Sequence, residues 1–373
     1  MKKQLQLLEK MVNIDSGTGN AAGMAALGEL IARQAAGLGF EFEKLTGADG
    51  SGHFYLHRGQ GRRVLLLAHL DTVFERGTAA KRPFTIEGDR ARGPGVSDCK
   101  SGVVTILGAL GNLTRAGKVG GAIGCLFNTD EEIGSPGSRR IIEEFARGSQ
   151  AVLVVEPADG ETITVARKGI GRFRLETFGR TAHSGSGFTE GRNAIWELAH
   201  KVVEIGKLTA LEQGITLNVG TIRGGTRANV IPDYAVAEVD LRFKVAGSEQ
   251  SILDRLRQIT AVSHIAGVTA RLNGGITRPS MECAPGNMHL FQLLRETGKA
   301  LGMELTAYES GGGSDANFVA AVGTPVVDGV GPMGGGLHTE TEYLEIPSLA
   351  RRIALLTGVL PRLFDSFRVK IRQ

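Results

Sequence analysis

Histidine and carboxylate residues recur in this sequence directly after short apolar runs, and that placement is the first sign of chemistry. Val64-Leu65-Leu66-Leu67-Ala68 leads into His69, with Asp71 two residues on. The run 121–127 leads into Asp130-Glu131-Glu132, and the run 151–155 leads into Glu156. Each run reads as a buried strand of a mostly parallel sheet. Open α/β sheets bind ligands at the carboxyl ends of their strands, so three strands that each end on His, Asp or Glu point to a site rather than to packing. Asp98, in Gly93-Pro94-Gly95-Val96-Ser97-Asp98-Cys99-Lys100, and His338 complete the candidate donors.

His69, Asp98, Glu132, Glu156 and His338 offer two imidazoles and three carboxylates, a set suited to zinc, manganese or cobalt. Charge balance favours two divalent ions. Three carboxylates and a bridging hydroxide would neutralise them, whereas one ion holding all five donors would leave a negative site with no open position. Two ions ~3.5–4 Å apart that share a carboxylate form a clamp for attack by an activated hydroxide. Strand period puts Asp71 on the face of His69, where a carboxylate can hold the second ring nitrogen. Of Glu131 and Glu132, one can ligate while the other faces the substrate as a general base.

The elements that must position these residues alternate in α/β fashion. Helices are expected over 22–36, 103–113 and 137–146, with strands near 41–45 and 53–57 and a hairpin turning at Gly88-Asp89. From Gly171 the pattern changes to strand 173–178, helix 193–205, strands 215–222 and 234–243, helix 249–262 and strand 268–272. That β-α-β-β-α-β order is the ferredoxin-like arrangement. Residues 169–277 are therefore expected to form an inserted domain, with 1–168 and 278–373 as the α/β domain that the helices 289–301, 316–321 and 347–360 and the strand 325–327 complete.

The totals exclude several classes. At 373 residues the chain exceeds the ~250–300 at which one core stops growing, which favours two domains. A net charge of +4, without a basic run or interleaved aromatics, gives no footprint for nucleic acid. No stretch of ~18 uncharged apolar residues suggests a membrane span, and charges interrupt the opening segment before a signal-type core can form. Three widely spaced cysteines fit a reduced, cytoplasmic protein. Cys125 reads as a small core residue, and Cys99 as packed or redox-sensitive rather than as a ligand.

Seven ordered motifs carry a family resemblance: His69-Leu70-Asp71-Thr72-Val73; the 93–100 loop; Asp130-Glu131-Glu132-Ile133-Gly134-Ser135; Glu156-Pro157; Thr181-Ala182-His183-Ser184-Gly185; Asn229-Val230-Ile231-Pro232; and Leu337-His338-Thr339. Together they resemble the aminoacylase and glutamate carboxypeptidase family of dinuclear zinc hydrolases, in particular the bacterial folate-cleaving type. The resemblance implies an α/β catalytic domain with an inserted ferredoxin-like dimerisation domain. It further implies that His69 and Glu156 bind one Zn2+, that Glu132 and His338 bind the other and that Asp98 bridges them. Co2+ or Mn2+ are the possible substitutes. Asp71 would orient His69, Glu131 would be the base, and His183 would stabilise the oxyanion from the other subunit of a homodimer. Asn229 and Arg242 are similar to the family positions that hold a substrate carboxylate, although Arg242 can also pair with Asp240 on the same strand face. The 310–315 loop, with Gly312 and Gly313, resembles the family's glycine-rich substrate loop. The implied reaction is hydrolysis of a peptide or amide bond next to a free carboxylate. The related alternatives are an N-acyl amino acid deacylase, a dipeptidase or tripeptidase, and a desuccinylase. A metal-binding regulatory protein without catalysis would be expected to lack the base or a ligand, and none is missing.

Overall fold

The computed structural model describes residues 1–370, and side chains as far as Ser366. The chain divides into two compact units. The first comprises Met1–Ala166, Cys283–Ser310 and the chain from Ser314 onward; the second comprises Arg167–Glu282 with Gly311–Gly313.

The first unit is built on a six-stranded sheet in the order Glu41–Thr46, Gly52–Arg58, Ile123–Asn128, Arg63–His69, Ser149–Val154, Val326–Val327. The last four strands run parallel, and an antiparallel hairpin closes the other edge. Arg63–His69 lies inside the parallel set, so both of its faces are covered and its sequence is a continuous apolar run rather than an alternating one. Leu65 and Leu66 are fully buried, each worth about 1.5–3 kcal/mol relative to exposure. Because His69 pairs in register with Asn128, the two strands end side by side. The turns that follow them are thereby brought together.

Helix Lys100–Arg115 packs along this sheet, and helix Ile346–Lys370 packs on it in turn. Gly102 is required there, because a Cβ would lie 2.1 Å from the Val155 carbonyl oxygen. That close approach sets the helix start, and with it Asp98, against the strand that leads to Glu156. The hairpin at Gly88-Asp89 is present as Thr85–Glu87 and Arg90–Arg92, and it is extended by Tyr343–Glu345. A strand pair not expected from the sequence joins Thr162–Arg167 to Thr306–Ser310.

The second unit is a four-stranded antiparallel sheet in the order Thr216–Gly224, Tyr234–Phe243, Gly169–Phe178, Thr269–Arg278. Helices Ala194–Gly206 and Ser248–Ala261 share one apolar core with it. Along Tyr234–Phe243 the inward residues alternate as Ala235, Ala237, Val239, Leu241 and Phe243, the period of a sheet with one covered face. The final strand reaches Arg278, six residues beyond the apolar run that signals it. Among the described residues, no helix is long and apolar enough to cross a membrane.

Candidate metal centre

Five strand-end and loop segments of the first unit converge on one cluster. Asp98 stands at its middle. Its Oδ1 lies 2.9 Å from His69 Nε2, and its Oδ2 lies 3.1 Å from His338 Nε2. Glu156 Oε2 is 3.6 Å from His69 Nε2, and Glu132 Oε2 is 3.2 Å from His338 Nε2. The donors thus form two groups, His69–Asp98–Glu156 and Asp98–Glu132–His338, with all ligand atoms of each group within 4.8 Å of one another. The aspartate is common to both. Cys99 Sγ belongs to the first group by distance, but it donates to the Val155 carbonyl at 3.2 Å and burial pushes its thiol well up. A neutral thiol is a poor ligand.

Three further carboxylates hold the segments that carry these donors. Asp71 is fully buried and accepts the Glu131 N–H and the Glu132 N–H, each at 3.1 Å, together with the Thr18 hydroxyl at 2.8 Å. The carboxylate expected beside His69 is there, but the backbone of the same residue approaches the ring more closely. The His69 Nδ1 partner is the Asp71 backbone carbonyl at 3.0 Å, while the nearer carboxylate oxygen stands at 3.4 Å. The same side chain also holds the 131–133 turn, where two backbone N–H groups converge on it. Asp130 accepts the Gly137 and Ser138 N–H groups and the Ser138 hydroxyl, which ties the same turn to the following helix. Glu342 accepts the N–H groups of Gly95, Ser97 and Asp98 at 2.9, 2.9 and 3.0 Å. Nothing in the sequence singled out Asp130 or Glu342 for these tasks. His338 itself has φ 62°, in the left-handed region, a conformation that costs a non-glycine residue about 1–3 kcal/mol and persists where the surroundings over-determine it.

The electrostatics follow from crowding. Burial works against the charge on Asp98, but hydrogen bonds from His338 and His69 outweigh it and hold the carboxyl below its ordinary value. Burial likewise opposes a proton on His69, yet Glu156, Cys99, Asp71 and Asp98 together push its pKa well up. His338, bonded to Asp98 and Glu132, rises to about 10. Burial lifts Glu156 to about 7. A cluster of imidazoles and carboxylates that draws in positive charge this strongly, with one carboxylate presenting an oxygen to each histidine, fits a pair of divalent cations.

The remaining sequence-derived candidates lie in the second unit. His183 is exposed, and its Nδ1 accepts the N–H groups of Gly185 and Ser186 at 3.1 and 3.2 Å. In the neutral ring this leaves the proton on Nε2, so the outward edge is a donor. Its strand pairs with Val230–Ile231, and the Ser184 N–H donates to the Asn229 carbonyl at 3.0 Å, which brings Asn229 beside it. Arg242 does not present a free fork: Nε and Nη2 hold Asp240 at 2.7 and 3.1 Å, while Nη1 points to the Gly311 carbonyl at 3.5 Å. Gly312 accepts from Arg167 at 3.2 Å, and a Cβ at Gly313 would press on the side chains of Ile170 and Arg278 at 2.6 and 2.9 Å.

With this geometry in view, the match to known proteins is direct. Residues 65–362 match the peptidase family M20/M25/M40, and the chain belongs to that family of metal-dependent peptidases and hydrolases. Among curated relatives, it is 32% identical to carboxypeptidase G2 of Pseudomonas sp. over 368 residues, covering 95% of this chain and 88% of that protein. Among solved structures, it is similar to a tripeptidase from Staphylococcus aureus at TM-score 0.83 and 21% identity, covering 96% of this chain and 97% of that one. A dinuclear metal binding M20 peptidase from Bacillus subtilis aligns at TM-score 0.74 and 16% identity, with 98% of each chain covered.

Proposed function

We propose that this chain is a two-metal exopeptidase of the glutamate carboxypeptidase type, cleaving a peptide or amide bond next to a free carboxylate. The observation that carries the metal reading is Asp98, whose two carboxylate oxygens face His69 and His338 separately. His69 and Glu156 would hold one ion, Glu132 and His338 the other, with Asp98 between them. Zinc fits this donor set, and cobalt or manganese could replace it. When bound, the two ions would activate water and polarise the scissile carbonyl.

The chain's own residues do the rest. Glu131 stands in the same turn as Glu132, with its backbone N–H held by Asp71, and its carboxylate is assigned as the base that takes a proton from the attacking water and returns it to the leaving amine. The Nε2–H of His183 is the donor for the oxyanion, supplied in a homodimer by His183 of the partner subunit. Asn229, beside it, and the backbone of Gly312 and Gly313 are assigned to the substrate carboxylate. Arg242 joins them only if a substrate carboxylate competes with Asp240 for its fork. The 32% identity to carboxypeptidase G2 over nearly the whole chain supports the substrate class. Three free cysteines support a reducing, cytoplasmic location.

The Arg242–Asp240 pair also gives weight to a second reading, an N-acyl amino acid deacylase or a di- or tripeptidase whose substrate is held without that arginine. One experiment separates the two: a hydrolysis screen of the zinc-loaded protein against folate-type glutamates, N-acyl amino acids, dipeptides and tripeptides. Turnover is expected with acyl glutamates. Preferred cleavage of free-amine dipeptides or tripeptides would replace the carboxypeptidase reading, and no turnover of any class would remove catalysis itself.

A further inference from the structure

Glu342 lies four residues past His338, yet its carboxylate turns inward, 1% exposed, onto the loop that carries Asp98. Oε2 accepts the Gly95 N–H, while Oε1 accepts those of Ser97 and Asp98. The loop is folded tightly enough for three N–H groups to converge: Gly95 has φ 71°, and a Cβ there would meet Thr72 Cγ2 at 2.5 Å. Next to it the buried Lys100 Nζ donates to the carbonyls of Pro94 and Ile14, at 3.2 and 3.0 Å, and so anchors the loop's other side. One carboxylate therefore ties together two segments about 240 residues apart in sequence, each bearing a donor of the cluster.

We infer that Glu342 is a positioning residue of the metal centre, fixing the backbone of the Asp98 loop so that Asp98 stands between His69 and His338. This rests on the two-metal reading above. Its bonds to the loop go to backbone N–H groups, so its effect is on geometry rather than on the reaction itself. A carboxylate is needed because both oxygens must accept. The amide of glutamine has one accepting oxygen, and its NH2 would face at least one N–H donor.

The test compares Glu342→Gln, Glu342→Asp and His338→Ala with the unaltered chain at pH 8. It measures Zn2+ and Co2+ affinity by competition with a chromophoric chelator, the visible spectrum of the Co2+ form, Tm with and without metal, and kcat and KM. Glu342→Gln is expected to weaken metal affinity by about 10–100-fold, the range for partners that orient ligands. It should also alter the Co2+ spectrum and lower kcat with KM little changed. Glu342→Asp, which keeps the charge, should recover part of the affinity. Wild-type affinity and spectrum in Glu342→Gln, with Tm lowered equally in the two forms, would overturn the inference by making the residue structural only. If Glu342→Gln does not fold, wild-type affinity in Glu342→Asp overturns it. His338→Ala separates the two levels. If that variant loses metal while the Glu342 variants do not, only this inference fails; if it too binds metal normally, the centre fails and the inference with it.

Discussion

Replacing Asp71 with asparagine isolates what a buried carboxylate does when it contacts none of the reacting atoms. The side chain accepts three donors: Glu131 N–H on Oδ1, and Glu132 N–H with the Thr18 hydroxyl on Oδ2. An amide can satisfy only one side. If NH2 replaces Oδ1, Glu131 N–H loses its acceptor; if it replaces Oδ2, Glu132 N–H does, while the Thr18 hydroxyl can reverse and accept. Either way one part-buried backbone donor is orphaned, at up to about 1–3 kcal/mol. The expected result is a melting temperature lowered by several degrees in chelator-treated protein. A larger proportional loss of kcat should accompany it, because the orphaned N–H belongs to the turn that carries Glu131 and Glu132. Thr18→Val removes one hydroxyl and leaves both backbone bonds, so it should cost about 0.5–1.5 kcal/mol and little activity. The assay is thermal melting of both variants beside steady-state hydrolysis of the best substrate from the screen. If Asp71→Asn melts and turns over like the parent, or if Thr18→Val is equally damaging, the assignment of Asp71 to the 131–133 turn is wrong.

Three other outcomes are expected. Glu131→Gln should keep metal content and fold while lowering kcat by about 10²–10⁴-fold; near-normal turnover would remove Glu131 from the base role. His183→Ala should lower kcat by about 10²–10³-fold, as for loss of an oxyanion donor. Mixing it with Glu131→Gln subunits should restore activity in heterodimers, so absence of recovery after proven subunit exchange would refute action across a dimer. Metal affinity should rise with pH between 6 and 8. His338 at about 10 and Glu156 at about 7 hold protons that an ion must displace, and each displaced proton adds roughly tenfold per pH unit below its pKa. Competition titrations at pH 6, 7 and 8 check this, and a flat profile would contradict it.

Three of the five candidate donors were legible locally, because His69, Glu132 and Glu156 follow runs such as Val64–Ala68 or Ala151–Val155 and sheet physics supplies the convergence; Asp98 and His338 follow no such run. The residues that hold the donors were not legible. Glu342 sits in Thr339-Glu340-Thr341-Glu342, which reads as a solvated turn, because its partners are backbone N–H groups of residues 95–98 and no side-chain type marks them. Asp71 is the intermediate case: its place beside His69 follows from strand period, but that its backbone carbonyl lies nearer the ring than its carboxylate, and that the carboxylate also holds the 131–133 turn, takes coordinates to see. Thr306–Ser310 escaped notice because it is largely exposed and has no apolar face for a periodic pattern to reveal. Arg242 and Asp240 share a strand face, and only coordinates show that the arginine's fork is already engaged.

The division between donors and holders has a physical reason. Carboxylates crowded together repel; at 4 Å two such charges interact by about 4 kcal/mol at the effective dielectric near a protein surface. Glu132, Glu156 and Asp98 cannot therefore rely on one another to stay in place, and the 131–133 turn and the 95–98 loop need attachments whose energy does not depend on what occupies the centre. Asp71 and Glu342 provide them by accepting backbone N–H groups, which carry no charge to be titrated away and are fixed in direction by the chain. Donor and holder variants should consequently separate in a double experiment. Loss of a donor such as His338 should abolish the gain in melting temperature that metal confers. Loss of a holder such as Glu342 should leave a reduced gain that recovers at high metal concentration, as binding linkage requires for a weakened but intact site.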